Sequence, residues 1–141
     1  WYHKIMNKEF IHNVKIYYED TDSGGVVYYA NYLKFLERAR SEIIYSFDLS
    51  NKLLLDKYGV LIIVKSCNIK YLKPSKLEDN LKIISIIKSL KKASFVMNQI
   101  VKKENDIISQ AEVHLVIVNK KGKPVKIPEI LENKFKKFLS S

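Results

Sequence analysis

Apolar and polar positions change their spacing along this chain, and each change predicts a new element. From Phe10 to Tyr18 they alternate, with Ile11, Asn13, Lys15 and Tyr17 on one side and His12, Val14, Ile16 and Tyr18 on the other. That is the period of a strand. After Gly24 and Gly25 the spacing becomes three and four: Tyr32, Phe35, Leu36, Ala39, Ile43 and Phe47 form one apolar face, while Glu37, Arg38, Arg40 and Glu42 fall mostly off it. This predicts an amphipathic helix that begins around Tyr28 to Asn31 and is pressed against a sheet. A second, short helix is expected over about 50–58, stopped by Gly59. From Val60 to about Asn119 the pattern is extended, in four runs: VLIIVKSCNIKYL, LKIISIIKSL, SFVMNQIVK and DIISQAEVHLVIV. Their connections, around Pro74-Ser75, Lys91-Lys92 and Glu104-Asn105-Asp106, are short enough for an antiparallel meander. A last amphipathic helix, about 128–139, starts at Pro128 and puts Leu131, Phe135 and Phe138 on one side. The expected order is strand, helix, short helix, four strands, helix, an α+β class.

Length and composition restrict this picture to one domain, 1–141. Residues 1–5, WYHKI, read as a remnant ahead of a start at Met6. The apolar runs are too short to span a bilayer, so no integral membrane segment is expected. A lone Cys67 cannot form an internal disulfide, which makes a reducing, cytoplasmic setting the expectation. The net charge of +10 comes almost wholly from lysine, Arg38 and Arg40 being the only arginines. Dispersed lysine suits a solvated surface with a general attraction for anions better than a nucleic-acid groove. The basic C-terminal helix is expected to cover the sheet or a neighbouring subunit rather than a membrane surface. One long helix against five strands leaves sheet edges to be covered, and a small domain does this by pairing with a copy of itself, so at least a dimer is expected.

Several chemistries are excluded. The four glycines form neither GxGxxG nor GxxxxGK[ST], and no GxSxG elbow occurs. His3, His12 and His114 stand far apart and Cys67 is single, so no zinc spacing can be drawn; His114 reads as a strand residue with a local hydrogen bond. Asp20 and Asp22 do not begin a calcium loop, since Gly24 and Asn31 occupy the fifth and twelfth positions. What remains is the stretch 17–34, YYEDTDSGGVVYYANYLK, with Glu19, Asp20 and Asp22 in a turn just before a helix start. The free N–H groups of a helix start can hold a developing oxyanion, and a nearby carboxylate can attack a carbonyl or activate a water. The competing reading makes the carboxylates helix caps and the aromatics core.

The string IYYEDTDSGGVVYYANYLKFLERAR resembles the signature of hotdog-fold acyl-CoA thioesterases of the hydroxybenzoyl-CoA thioesterase and YbgC type, associated in bacteria with the Tol-Pal system. The match continues through KSCNIKYLKPSKLEDNL and SFVMNQIV, over about 10–120. The resemblance implies a long central helix wrapped by a five-stranded antiparallel sheet, with subunits joined edge to edge as a homodimer or homotetramer and active sites at the interface. It implies Asp22 as the catalytic carboxylate and the Tyr29 N–H as oxyanion donor. Gly24 and Gly25 would shape the turn, with Gly25, Val26, Val27, Asn31 and Tyr32 around the acyl group. Lys91 and Lys92, before the Ser-Phe pair, match basic residues that contact the phosphates of coenzyme A. No cofactor is expected, coenzyme A being part of the substrate, and an acyl carrier protein is a further candidate partner. The YbgC arm has V-Y-H-A-N-Y where this chain has V-Y-Y-A-N-Y, so Tyr29 replaces a histidine. A tyrosine of pKa around 10 is a poor base, but a backbone donor is indifferent to its side chain. The alternative is a hotdog module that binds acyl-CoA, an acyl carrier protein or an envelope-biogenesis partner without turnover. A hotdog hydratase or dehydratase would need a histidine in the helix region, and none lies between His12 and His114.

Overall fold

The structure is a computed structural model and describes residues 8–139; the reading of residues 1–5 lies outside them. Strand β1 is Phe10–Lys15, helix α1 Tyr29–Ser46, helix α2 Asn51–Tyr58, then strands β2 Val60–Tyr71, β3 Asn80–Leu90, β4 Ser94–Lys103 and β5 Asp106–Asn119, and helix α3 Glu129–Lys137. All neighbouring strands are antiparallel, in the order β1-β3-β4-β5-β2. The α+β architecture of one long helix on a five-stranded sheet is therefore as expected. Strand β1 is shorter than its alternation suggested. At Tyr17 the chain turns into a single 3₁₀ turn, Tyr18–Asp20, because the Asp20 carboxylate accepts the Tyr17 N–H at 3.0 Å.

The meander expectation fails at its first connection. Strands β3, β4 and β5 form the meander, but β2 pairs only with β5 and occupies the edge opposite β1. Strand β1 has already taken the outer side of β3, so the segment after β2 cannot turn back as a hairpin. It crosses the sheet end past the start of α1, and that crossing builds the candidate site.

Helix α1 buries Tyr32, Phe35, Leu36, Ala39 and Ile43, the face its spacing predicted, over Ile83, Ile87, Met97, Val101 and Val113 of the sheet. Burying five such side chains contributes on the order of 10 kcal/mol before chain entropy is counted. One polar network crosses this interface. The Gln99 amide donates to the Leu36 carbonyl at 3.1 Å and to Ser85 Oγ at 3.0 Å, and accepts from Arg40 at 2.9 Å. Helix α2 is capped by Ser50, whose hydroxyl accepts the Leu53 N–H, and it ends at Gly59. Helix α3 buries Leu131 and Phe135. An aromatic seam of Phe10, Phe47, Phe95, Phe135 and Phe138 fastens it to the far end of the sheet, so the basic C-terminal helix packs on its own core.

Candidate active site

Residues 20–28 form a small two-stranded loop. Tyr28 donates to the Asp20 carbonyl at 3.2 Å and Asp22 to Val26 at 2.9 Å, and Gly25 closes the turn on the Asp22 carbonyl at 3.0 Å. Gly25 has φ +77°, a backbone region costly for any residue with a Cβ. A Cβ at position 24 would stand 3.3 Å from the Asp22 carboxylate, a tight contact that would push that carboxylate by a few tenths of an ångström. That carboxylate is held by two backbone donors on one oxygen: Gly24 N at 2.9 Å and Val26 N at 3.2 Å reach Oδ1. Oδ2 has no partner among the described residues.

The start of α1 has no side-chain cap. Tyr28 occupies the capping position without a side-chain bond, and the N–H groups of Tyr29 and Ala30 find no acceptor among the described residues. The carboxylates that competed as helix caps are occupied elsewhere: Asp20 closes its 3₁₀ turn, and Asp22 closes its own loop. An uncapped N-terminus of an 18-residue helix leaves aimed donors and the positive end of the dipole open to an external acceptor.

Asn31 is buried, and its Nδ2 donates to the Asp20 carbonyl at 2.7 Å, tying the helix to the loop. Tyr32 is buried too, and its hydroxyl is hydrogen-bonded to Ser75 Oγ. Burial is the main cause that raises the Tyr32 pKa above the usual phenol value. Ser75 belongs to the crossing segment, as do two further ties: Val27 N–H donates to the Ser75 carbonyl at 3.0 Å and Leu77 N–H to Gly25 at 3.1 Å. Both Asn31 and Tyr32 thus hold the loop in place. Val26 is half-buried and bridged to Lys76, whereas Val27 is buried in the core. The Tyr29 ring is exposed and stacks on Tyr71 at 4.4 Å between centroids, while the Tyr71 hydroxyl donates to the Tyr29 carbonyl at 3.3 Å.

Lys91 and Lys92 are not brought to this loop within one chain. They sit in the β3–β4 turn, whereas the loop lies by Asp79 and Asn80 at the other end of β3. Ten residues of strand separate the two ends, about 30 Å.

Two features had no signal in the sequence. A cavity of about 130 Å³ lies between α1 and the β2 side of the sheet, lined by Ile43, Ile62, Val64, Met97 and Leu115, with Arg40 at its wall. Burial pulls the Arg40 pKa down, and the nearby Glu37 charge opposes this. The second is Ser75, whose importance depends on the crossing. Among the described residues no group of three or more His, Cys, Asp or Glu is placed to hold a metal.

A five-stranded antiparallel sheet wrapped on one long helix is the architecture of the hotdog thioesterase class. The family model of the thioesterase-like superfamily matches residues 17–135, and the chain belongs to that family. It is 40% identical over 125 residues to the acyl-CoA thioester hydrolase YbgC of Escherichia coli, covering 87% of this chain and 92% of that one. It is 34% identical over 132 residues to the acyl-CoA thioesterase YbgC of Haemophilus influenzae, covering 93% and 97%. Among solved structures, a probable thioesterase from Bartonella henselae superposes with a TM-score of 0.82 at 32% identity, over 85% of this chain and 99% of that chain.

Proposed function

We propose that this chain hydrolyses acyl-CoA thioesters. The observation that carries the reading is the free N–H of Tyr29 at an uncapped helix start, on the same loop-and-helix unit as a carboxylate with one oxygen unengaged. The thioester carbonyl oxygen sits against the Tyr29 N–H, where charge developing in the transition state meets the helix dipole. The Asp22 carboxylate either attacks the carbonyl carbon directly, expelling the thiolate and leaving a mixed anhydride that water then hydrolyses to the free acid and the carboxylate, or takes a proton from a water that attacks. On the water route, the new bond is from water oxygen to acyl carbon, the carbon–sulfur bond breaks, and the thiolate of coenzyme A leaves. Thiolate leaves readily, so the histidine missing at position 29 is not required; the Tyr29 ring is engaged with Tyr71 instead.

The working unit is a dimer or a tetramer built from dimers. Strand β2 is a 12-residue edge with Leu61, Ile63 and Val64 exposed, the kind of apolar edge that invites a second chain. Two β2 strands paired antiparallel about a two-fold axis bring the β2 start of one copy beside the β2 end of the other. Tyr71, which stacks on Tyr29, is at that end. The partner's cavity and β3–β4 turn then approach the loop of Asp22, so that Lys91 and Lys92 reach the phosphates across the interface and the acyl group enters the cavity between helix and sheet. A cavity of about 150 Å³ accepts one benzene ring in another protein, so the 130 Å³ here suits a short or single-ring acyl group. An acyl carrier protein presents the same thioester and is a second donor to try. No described helix is long and apolar enough to cross a membrane, and a cytoplasmic setting with its acyl-CoA pool is part of this proposal.

The test is thiol release from a panel of short, long and aromatic acyl-CoAs. Turnover of at least one, with rate falling as chain length exceeds the cavity, supports the reading. Tight binding with no turnover of any of them would replace the enzyme by a binding module.

A further inference from the structure

A helix start without a cap frays, because its first N–H groups have no partner within the helix. An ordinary cap cures this by occupying those groups, and that would consume the donors on which the proposed chemistry depends. Helix α1 is held differently. Tyr71, the last residue of β2, stacks its ring on Tyr29 at 4.4 Å between centroids and 23° between planes, and its hydroxyl donates to the Tyr29 carbonyl at 3.3 Å. The same ring meets Tyr32 at 5.6 Å; Tyr29 and Tyr32 are three apart in sequence and so share a face of the helix. Tyr71 itself is firmly mounted. Its backbone pairs with Ser109, and the N–H groups of Leu72 and Lys73 both donate to the Ile108 carbonyl, at 2.8 and 3.1 Å. Tyr32 is buried, with its hydroxyl on Ser75. The first turn of α1 is therefore gripped through a ring and a carbonyl, while the Tyr29 and Ala30 N–H groups stay without an acceptor among the described residues.

We propose that Tyr71 is a positioning residue for the oxyanion site: it takes over the stabilising role of a cap while leaving the helix donors free. The inference rests on the thioesterase reading and adds a residue to it. The Tyr29 carbonyl and the Ala30 N–H belong to one planar peptide, so the Tyr71 hydroxyl fixes the direction of the Ala30 donor and, by polarising that peptide, strengthens it. The stacked ring restricts Tyr29 itself, and with it the N–H on the preceding peptide. Fixed donors are what transition-state charge requires, since a donor that must reorient as the charge develops contributes less. At 3.3 Å the hydroxyl bond is long for two oxygens, and the hydrogen bonds of an unliganded site tighten in the transition-state complex. A side chain that acts from the end of a sheet strand also moves less than one on the loop.

The experiment compares wild type with Tyr71→Phe, which keeps the stack and loses the hydroxyl, and with Tyr71→Leu, which loses both. In thiol release from the best acyl-CoA of the panel, kcat is expected to fall about tenfold in Tyr71→Phe, the worth of one neutral hydrogen bond. In Tyr71→Leu, with the aromatic pair gone as well, it is expected to fall about a hundredfold. KM is expected to stay unchanged in both, since the lost interaction acts in the transition state. A second readout needs binding only. In a ketone analogue of the substrate, with a methylene in place of the thioester sulfur, the stretching frequency of the bound carbonyl reports the hydrogen bonds its oxygen accepts. Infrared difference spectra are expected to place it below its solution value in wild type, less so in Tyr71→Phe and least in Tyr71→Leu. A residue that only stabilised the fold would lower Tm and leave that shift alone. Light scattering on the same samples compares their assembly. Wild-type kcat in Tyr71→Phe, a loss of rate with an unchanged carbonyl shift, or a loss that accompanies a change of oligomeric state overturns the proposal. An analogue that does not bind wild type, or binds it with an unshifted carbonyl, overturns it as well. Absence of turnover in wild type would instead sink the thioesterase reading, and the carbonyl shift alone would then decide the role of Tyr71.

Discussion

Replacing Asp22 by asparagine separates chemistry from structure at the candidate site. The amide keeps an oxygen in place of Oδ1, so Gly24 N–H and Val26 N–H retain an acceptor. Hydrogen bonds to a charged acceptor contribute roughly 1.5–3 kcal/mol and neutral ones roughly 0.5–1.5 kcal/mol. For a half-buried loop, the two weakened bonds together cost about 1 kcal/mol, or roughly 3–5 °C in Tm at this chain length. The catalytic loss is larger, because removing a positioned acid–base group slows a reaction by about 10²- to 10⁴-fold, about 3–5 kcal/mol on the barrier. Asp22→Ala also abandons both backbone donors and is expected to cost about 2–3 kcal/mol of stability. The prediction is thus that both variants are inactive to a similar degree while melting at different temperatures. The assays are thiol release under saturating acyl-CoA and thermal melting of the same samples. An Asp22→Asn enzyme within tenfold of wild-type kcat would remove Asp22 from the chemistry. Activity that tracks Tm across the two variants would reduce it to a loop-closing residue.

Three further outcomes follow from the same geometry. Gly25→Ala forces a Cβ onto φ +77° and is expected to cost about 1–2 kcal/mol, with kcat reduced more than KM is raised, read by melting and steady-state kinetics. Tyr32 has its pKa raised by burial from 10.0, so the folded state favours the neutral phenol. Its contribution is complete below pH 10 and is lost as pH rises through the higher folded value; the Tm advantage of wild type over Tyr32→Phe should shrink above pH 10. Val64→Glu places a charge on the exposed β2 edge and is expected to give a folded monomer with little activity, measured by light scattering and thiol release; full activity in that monomer would sink the shared-site geometry.

Local periodicity made most of the secondary structure legible. The face from Tyr32 to Ile43 is buried as its spacing required, because a helix buries the stripe that its own sequence makes apolar. The candidate site was legible in part. Acids, paired glycines and a helix start occur in one stretch, and the resemblance singled out Asp22 and Tyr29. What spacing did not reveal is that Asn31 and Tyr32, grouped with the acyl-binding residues, are engaged in tying the loop to Asp20 and Ser75. Contacts over 43 residues of sequence leave no local trace.

By itself, then, the sequence determined the helices, the strands, the glycine turn and the carboxylate, since each depends on residues a few positions apart. Only the tertiary structure decided that β2 lies at the far edge rather than beside β3, and that Lys91 and Lys92 stand at the opposite end from Asp22. Strand order is set by which edges are still free when each strand arrives and by which faces must cover the helix. Those are relations between distant segments, and no window along the chain contains them.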